Sequence, residues 1–295
     1  MGQAQNSNQN PRDSAFFERE YNARAAIPDH PQILARWAER GARARRLRAC
    51  LVDLPYGETG AERLDYFPTQ HEAAPLLVFI HGGYWRSLDK SDFSWLAPPF
   101  VQHGVALALL NYGLAPATSI EDIVRQQLKA LAWLYRNGDR LGFDPERIVV
   151  SGHSAGAHLT AMMMAALWPV HAPDLPPMLV KGGLAISGIY DLAPLVNAPF
   201  VNVDLRLNDH RARALSPVDL PPATTAPLIT AVGTLESSEF HRQNALIRRA
   251  WKSAFLRDVP LAGAHHLTAV EELASPASLL FDAALELVRL SKRPR

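Results

Sequence analysis

Runs of apolar residues alternate with segments of helical periodicity along most of the chain. Most of the runs are short and unbroken, as in strands buried on both faces of a sheet; the predicted strands cover 47–53, 63–67, 76–80, 105–111, 147–151, 182–187, 228–232 and 254–260. The predicted helices cover 119–137, 155–167, 236–252 and 267–291, and a turn-rich helical segment covers 91–103. This alternation predicts an α/β fold with a mostly parallel central sheet of about eight strands and helices on both faces.

The two ends of the chain differ from this alternating body. Residues 1–14 are polar and rich in Asn and Gln, which predicts a disordered leader. The pattern of residues 15–48 predicts a basic N-terminal helical arm, which two prolines break and whose arginines lie on a solvated face. Residues 49–295 show no break in composition, and we expect them to form one domain. Within it, the long proline-rich stretch 190–226 separates two core strands and is our candidate for a lid.

Composition excludes several classes of function. The formal net charge of the 295 residues is +1, so we expect neither nucleic acid nor a membrane surface as a partner. Cys50 is the single cysteine, so an internal disulfide cannot form, and the 11 histidines show no metal-binding spacing. The polar N-terminus lacks the apolar stretch of a signal peptide, and we expect a cytoplasmic protein. A homodimer is compatible with the sequence.

The motif G-H-S-A-G at 152–156 places Ser154 between two glycines. A strand is predicted at 148–150, directly before the motif, and a helix at 157–167, directly after it. A sharp strand-to-helix turn of this kind exposes a nucleophilic serine, and its flanking glycines permit the strained backbone and the close packing. The alternative is a glycine turn that contains an incidental serine. The flanking elements favour Ser154 as a nucleophile.

The sequence H-G-G-Y-W at 81–85 follows a buried strand upstream of this turn. Glycines at this place let backbone amides approach an oxyanion. We therefore assign Gly82, Gly83, Tyr84 and Ala155 to an oxyanion hole, with the last three donating their amides. A β-turn without a catalytic role is the alternative.

The residues around these two motifs suggest a substrate pocket. We expect Tyr84 and Trp85 to line its mouth, although Trp85 could equally pack the loop. His153, next to the nucleophile, is also assigned to the pocket. Arg86 is expected to be an exposed loop charge, and attraction of a substrate carboxylate is the alternative.

The acid of a Ser–acid–His triad should follow a late strand. Glu236 comes four residues after the strand predicted at 228–232 and is preferred. Glu239 is the alternative, but we expect it to be an exposed charge in the first turn of the next helix. Asp191 and Asp258 are weaker candidates.

The histidine of the triad should follow the last strand. His266 is preferred because the apolar residue after it can anchor the loop against the core, and His265 is the alternative. His158 lies four residues along the helix from Ser154, so its side chain should point away from the turn and serve packing and hydrogen bonding.

These motifs together resemble the α/β-hydrolase superfamily, and within it the kynurenine formamidase (arylformamidase) group. The resemblance rests on HGGYW at 81–85, NYGLAP at 111–116, GHSAGAHL at 152–159 and GTLESSEFHRQN at 233–244. It covers residues 50–290 and leaves the basic N-terminal arm unexplained. Glu236 stands where an Asp is common in the group.

The resemblance implies an α/β-hydrolase fold and a serine mechanism without a metal or an organic cofactor. It implies Ser154 as the nucleophile and Glu236 and His266 as its triad partners. The implied partner is a small-molecule aryl amide or ester, and the implied reaction is hydrolysis of N-formyl-L-kynurenine to kynurenine and formate. General short-chain carboxylesterase or amidase activity is the alternative, and a non-catalytic binding protein of the same fold is a remote one.

Overall fold

A computed structural model describes residues 14–292. Its centre is an eight-stranded sheet of order β1-β2-β4-β3-β5-β6-β7-β8. The first two strands pair antiparallel, as do β2 and β4, and the remaining pairs are parallel. The strands are β1 Leu51–Pro55, β2 Arg63–Phe67, β3 Ala74–Ile80, β4 Ala106–Leu110, β5 Phe143–His153, β6 Val180–Ile186, β7 Leu228–Gly233 and β8 Phe255–Leu261. The mostly parallel α/β sheet of about eight strands is confirmed.

Eleven α-helices occur within the described residues. They are α1 Ser14–Tyr21, α2 His30–Leu47, α3 Ala97–Gln102, α4 Ile120–Leu141, α5 Ala155–Met164, α6 Trp168–His171, α7 Pro199–Leu205, α8 Asp209–Ala214, α9 Ser238–Ala250, α10 His266–Glu271 and α11 Leu279–Leu290. Short 3₁₀ helices cover Lys90–Leu96, Ala193–Asn197, Pro217–Asp219 and Glu272–Ala274. The single helix predicted over 267–291 is wrong: Pro276 lies between α10 and α11, and the Ser278 side chain caps α11 by accepting from the amide of Phe281.

The central strands are buried on both faces of the sheet. In β3, Leu76, Val78 and Ile80 belong to one apolar cluster, whereas Leu77 and Phe79 belong to the other. Side chains along a strand point to opposite faces, so an unbroken apolar run can supply both cores. This arrangement fixes the carboxyl ends of the strands, where the candidate site lies.

The N-terminal arm, residues 14–47, consists of α1, a turn and α2. Trp37 of α2 is fully buried and packs its ring 5.3 Å from that of Phe93 and 5.9 Å from that of Trp95. Its indole N–H donates to the carboxylate of Glu271, 2.8 Å away. At the other end of the arm, the Tyr21 hydroxyl donates to Glu239 of α9 over 2.7 Å. The arm therefore packs against the body of the molecule at both of its ends.

The candidate lid, 190–226, is more regular than we expected. It contains α7 and α8 and two of the 3₁₀ helices. Its apolar residues Leu195, Val201 and Ala212 are fully buried, so the segment is packed into the body. Its role as a lid stays a prediction.

Candidate active site

Ser154 occupies a strained turn between β5 and α5. Its φ of 57° and ψ of −118° lie in a region that non-glycine residues rarely adopt. The Ser154 amide donates to the carbonyl of Ile186 over 2.8 Å, which ties the turn to the neighbouring strand. A Cβ on Gly156 would collide with the carbonyl of Ile80, so only glycine allows α5 to approach β3 this closely. These features are those of a nucleophile turn.

Glu236 and His266 are in direct contact beside this turn. The Glu236 carboxylate accepts from His266 Nδ1 at 2.7 Å, from the Gly233 amide at 2.8 Å and from the Ser187 hydroxyl at 2.5 Å. The Glu236 side chain is completely buried. When Nδ1–H donates to the carboxylate, Nε2 of His266 carries a lone pair and can accept a proton.

The alternative acids are engaged elsewhere. Glu239 was expected to be exposed, but this is wrong: it is buried and accepts hydrogen bonds from Tyr21 and from Arg242. Asp258 accepts from Thr230 and Asn244, and Asp191 pairs with Arg242. The contact with His266 belongs to Glu236.

His265 and His266 have different positions in the loop after β8. His265 caps α10 by accepting from the amide of Thr268. His266 lines the same cavity as Ser154. Ser154 and His266 thus line one cavity, and Glu236 contacts His266; the three residues follow β5, β7 and β8 in the chain.

The loop after β3 lies against the serine. A Cβ on Gly82 would lie 3.0 Å from Ser154 Cβ and 2.8 Å from the carbonyl oxygen of His153, so glycine is required there. Gly83, Tyr84 and Trp85 have φ values of 99°, 52° and 54°, which form a strained left-handed turn. Gly83 and Tyr84 line the cavity.

The N-terminus of α5 directly follows Ser154. The amide of Ala155, its first residue, has no intrahelical acceptor. Backbone donors at a helix N-terminus favour a developing anion. Of the four residues assigned to the oxyanion hole, Gly83 and Tyr84 line the cavity, Gly82 lies against Ser154 and Ala155 follows it in the chain, and the oxyanion hole itself stays a prediction.

Trp85 does not line the pocket mouth. Its side chain is fully buried, and its ring meets that of His158 edge-on at 5.0 Å. Tyr84, by contrast, borders the cavity, and its hydroxyl donates to the carbonyl of Tyr21 in the arm.

Three further histidines near the site are buried and take no part in the Glu236–His266 hydrogen bond. His153 borders the cavity, and its Nε2 lies 2.8 Å from the carbonyl oxygen of His266. Burial, together with the neighbouring His266, lowers the pKa of His153 well below its usual value. Burial lowers the pKa of His158 to about 4, and this ring is hydrogen-bonded to the carbonyl of Leu215, as its predicted packing role requires. Burial also lowers the pKa of His81, which stacks on Tyr112.

The cavity above Ser154 encloses about 60 Å³ and is closed by the N-terminal arm. The arm contributes five lining residues, namely Asn22, Ala23, Arg24, Leu34 and Trp37. None of them was predicted from the sequence, because no motif in the arm marks them. Ser187 was not predicted either, although it lies directly after β6, which was the available signal.

A second cavity of about 270 Å³ lies on the other side of Ala23 and His266. Phe240 and Leu235 give it apolar walls, and the arm closes it as well.

Among residues 14–292, no cluster of His, Cys, Asp or Glu could hold a metal ion. Over the same residues, no helix has the length and apolar character needed to cross a membrane.

Comparisons with known proteins agree with this geometry. A family model described as BD-FAE matches residues 64–169. A kynurenine formamidase from Salmo salar is 32% identical over 259 residues, which cover 84% of each chain. Esterase LipQ from Mycobacterium tuberculosis is 32% identical over 52% of this chain and 38% of its own length. A solved structure from Silicibacter sp. tm1040, provisionally described as a thioesterase, superposes with a TM-score of 0.80 at 30% identity and covers 89% of this chain and 96% of its own.

Proposed function

Because the chain belongs to the kynurenine formamidase family of the α/β-hydrolases, we propose that it hydrolyses the formamide of an aryl amine, with N-formyl-L-kynurenine as the specific substrate. The protein is a serine hydrolase. The observation that carries the proposal is the meeting of the strained Ser154 turn with the buried Glu236–His266 pair at one cavity.

In the proposed mechanism, Ser154 Oγ attacks the formyl carbon while His266 Nε2 accepts its proton. Glu236 keeps the His266 ring oriented and stabilises the imidazolium. The amides of Gly83, Tyr84 and Ala155 donate to the oxyanion. His266 then protonates the departing aryl amine, which leaves Ser154 as its formyl ester. Water, deprotonated by His266, hydrolyses this ester to formate and restores the serine.

Short-chain carboxylesterase activity is the second candidate. It is supported by the similarity to LipQ over half of the chain and by the small volume of the cavity above Ser154, which suits a small acyl group. The same residues serve both reactions, because an ester and an amide pass through the same kind of tetrahedral intermediate.

A cytoplasmic location is part of the proposal and is supported by the single cysteine, which fits a reducing compartment.

The test compares kcat/KM for N-formyl-L-kynurenine with that for p-nitrophenyl acetate and butyrate. We expect the formamide to be preferred, and weak turnover of the formamide beside rapid ester cleavage would select the esterase. Ser154→Ala should lower all three activities by at least about 1000-fold and abolish labelling by a fluorophosphonate.

Ser151→Ala is the matched control for this serine. Ser151 lies three residues earlier in β5, and its buried hydroxyl has no hydrogen-bond partner among the described residues. We expect this variant to keep its activity and its labelling. Full hydrolytic activity in Ser154→Ala would refute the serine mechanism.

A further inference from the structure

The cavity above Ser154 is positively charged. Its lining contains two arginines, Arg24 from the arm and Arg86 from the loop after β3, and no acidic side chain. The two arginines differ in their partners. Arg86 donates to the Asp204 carboxylate over 2.6 Å and to the Phe200 carbonyl over 2.8 Å, so its charge is already balanced.

The positive charge of Arg24 is not balanced in this way. Its guanidinium donates to the Ser87 hydroxyl over 2.8 Å, and no carboxylate within residues 14–292 pairs with it. The group is partly buried, and burial lowers its pKa from the usual value. The neighbouring charge of Arg86 lowers this pKa further. An anion in the cavity would relieve both effects, since a guanidinium stays charged in proteins and binds carboxylates through paired hydrogen bonds.

We propose that Arg24 binds a carboxylate of the substrate, and that the enzyme therefore selects substrates that carry one. This inference rests on the proposed acyl hydrolysis at Ser154 and deepens it. A formyl group has no substituent that could carry a charge, so the carboxylate belongs to the leaving group. N-Formyl-L-kynurenine carries such a carboxylate on its amino-acid side chain.

The competing interpretation is that Arg24 only positions the oxyanion loop. Ser87, its partner, also donates to the Gly83 carbonyl over 3.0 Å, so the contact could hold Gly83 in place. A positioning role would affect substrates with and without a carboxylate alike. Carboxylate binding would affect substrates that carry a carboxylate selectively, mainly through KM.

The experiment measures kcat/KM of the full chain for two matched pairs of substrates. The first pair is N-formyl-L-kynurenine and its carboxamide. The second pair is the acetate esters of 3-hydroxybenzoate and 3-hydroxybenzamide. In each pair one member carries the carboxylate and the other replaces it with a neutral amide. We expect the wild type to prefer the member that carries the carboxylate.

Arg24→Met should reduce this preference by about 10- to 100-fold, mainly through a higher KM for the member that carries the carboxylate. Arg24→Lys, which keeps the charge but not the fork of donors, should give an intermediate ratio. Arg43→Met is the matched control, because Arg43 lies on the exposed side of α2 in the same arm. It should leave the ratio unchanged.

Equal losses for both members of each pair in Arg24→Met would overturn carboxylate binding and leave Arg24 a positioning residue. Because the ratio is measured within one preparation, partial unfolding of a variant cannot imitate the expected result. The two pairs separate this inference from the proposed function. If the formamides are not hydrolysed, the formamidase proposal fails, and the ester pair still tests Arg24.

Discussion

The cavity has two sides that are held by different kinds of interaction. On the sheet side, Ser154 and Gly82 lie on loops that leave strands buried on both faces, and the backbones approach so closely that glycine is required. On the arm side, contact is made by side chains, among them the buried Trp37 and a hydrogen bond from Tyr21 to Glu239. The sheet side therefore has little freedom to move, whereas the arm is held by side-chain packing and by hydrogen bonds, some of which single substitutions can remove.

This difference separates two tasks of the site. Attack on a carbonyl needs atoms held to within a fraction of an ångström, and close packing supplies such precision. Selection of a substrate needs a surface that encloses the rest of the molecule, and we expect the arm residues that line the cavity to form it. We expect changes on the sheet side to abolish turnover or folding, and changes on the arm side to alter substrate binding and local order.

Glu236→Gln should have the largest effect on activity. The amide keeps the volume of the carboxylate but presents a donor to His266 Nδ1, so the ring loses the tautomer that accepts a proton at Nε2. We expect kcat to fall by about 1000- to 10,000-fold in steady-state hydrolysis of the preferred substrate, with the fold retained.

Glu239→Gln is its counterpart on the arm side. This buried carboxylate has the same chemistry but contacts Tyr21 and Arg242 instead of His266. The Glu239→Gln variant should have a lower free energy of unfolding but keep most of the wild-type kcat. Equal losses of kcat in the two variants would show that the Glu236 contact has no special role.

Gly156→Ala should have the next largest effect, on stability. The added methyl group meets the Ile80 carbonyl, a backbone atom that cannot move aside. We expect the free energy of unfolding in urea to fall by at least about 3 kcal/mol. Gly60→Ala is the control, because a Cβ at Gly60 meets no atom within 4 Å. Similar losses in both variants would contradict the packing argument.

His158, in α5 below the serine, should make the sheet side sensitive to acid. Its pKa is lowered from 6.5 to about 4 by burial. The unfolded chain binds a proton below pH 6.5, whereas the folded chain does so only below about pH 4, so stability is complete above pH 6.5 and is lost as the pH falls towards 4. This loss amounts to about 3 kcal/mol.

His158→Gln tests this dependence, since the amide can still donate to the Leu215 carbonyl but does not titrate. Urea unfolding between pH 7 and 4 should show a smaller loss of stability in the variant than in the wild type. Parallel curves for the two proteins would mean that His158 titrates normally in the folded state.

The same contrast between the two sides explains what could be predicted from the sequence. The strands and the Ser154 turn carry local signals, namely unbroken apolar runs and two flanking glycines, so periodicity and glycine spacing indicated them. The exposure of Glu239 was predicted wrongly because its partner, Tyr21, lies 218 residues away in the chain. Trp85 and the cavity residues of the arm depend on contacts of the same long-range kind, for which one sequence carries no local signal.

Tyr21→Phe should have the smallest effect on the global free energy of unfolding, because its effect should be local to the arm. The variant removes the hydroxyl that donates to Glu239 and that accepts from Gln243, which leaves a buried carboxylate with one donor fewer. We expect a loss of about 1–3 kcal/mol, confined to opening of the arm. Hydrogen exchange should therefore speed up in residues 14–29 and not in the central strands.

Tyr66→Phe is the matched change on the sheet side. Tyr66 is also buried, and its hydroxyl donates to a neutral backbone carbonyl, that of Leu141. A loss of about 1 kcal/mol should appear there as a lower free energy of global unfolding, because β2 is part of the cooperative sheet. If Tyr21→Phe instead destabilised the central strands as much as the arm, the two sides would unfold as one unit, and the arm could not open independently to admit a substrate.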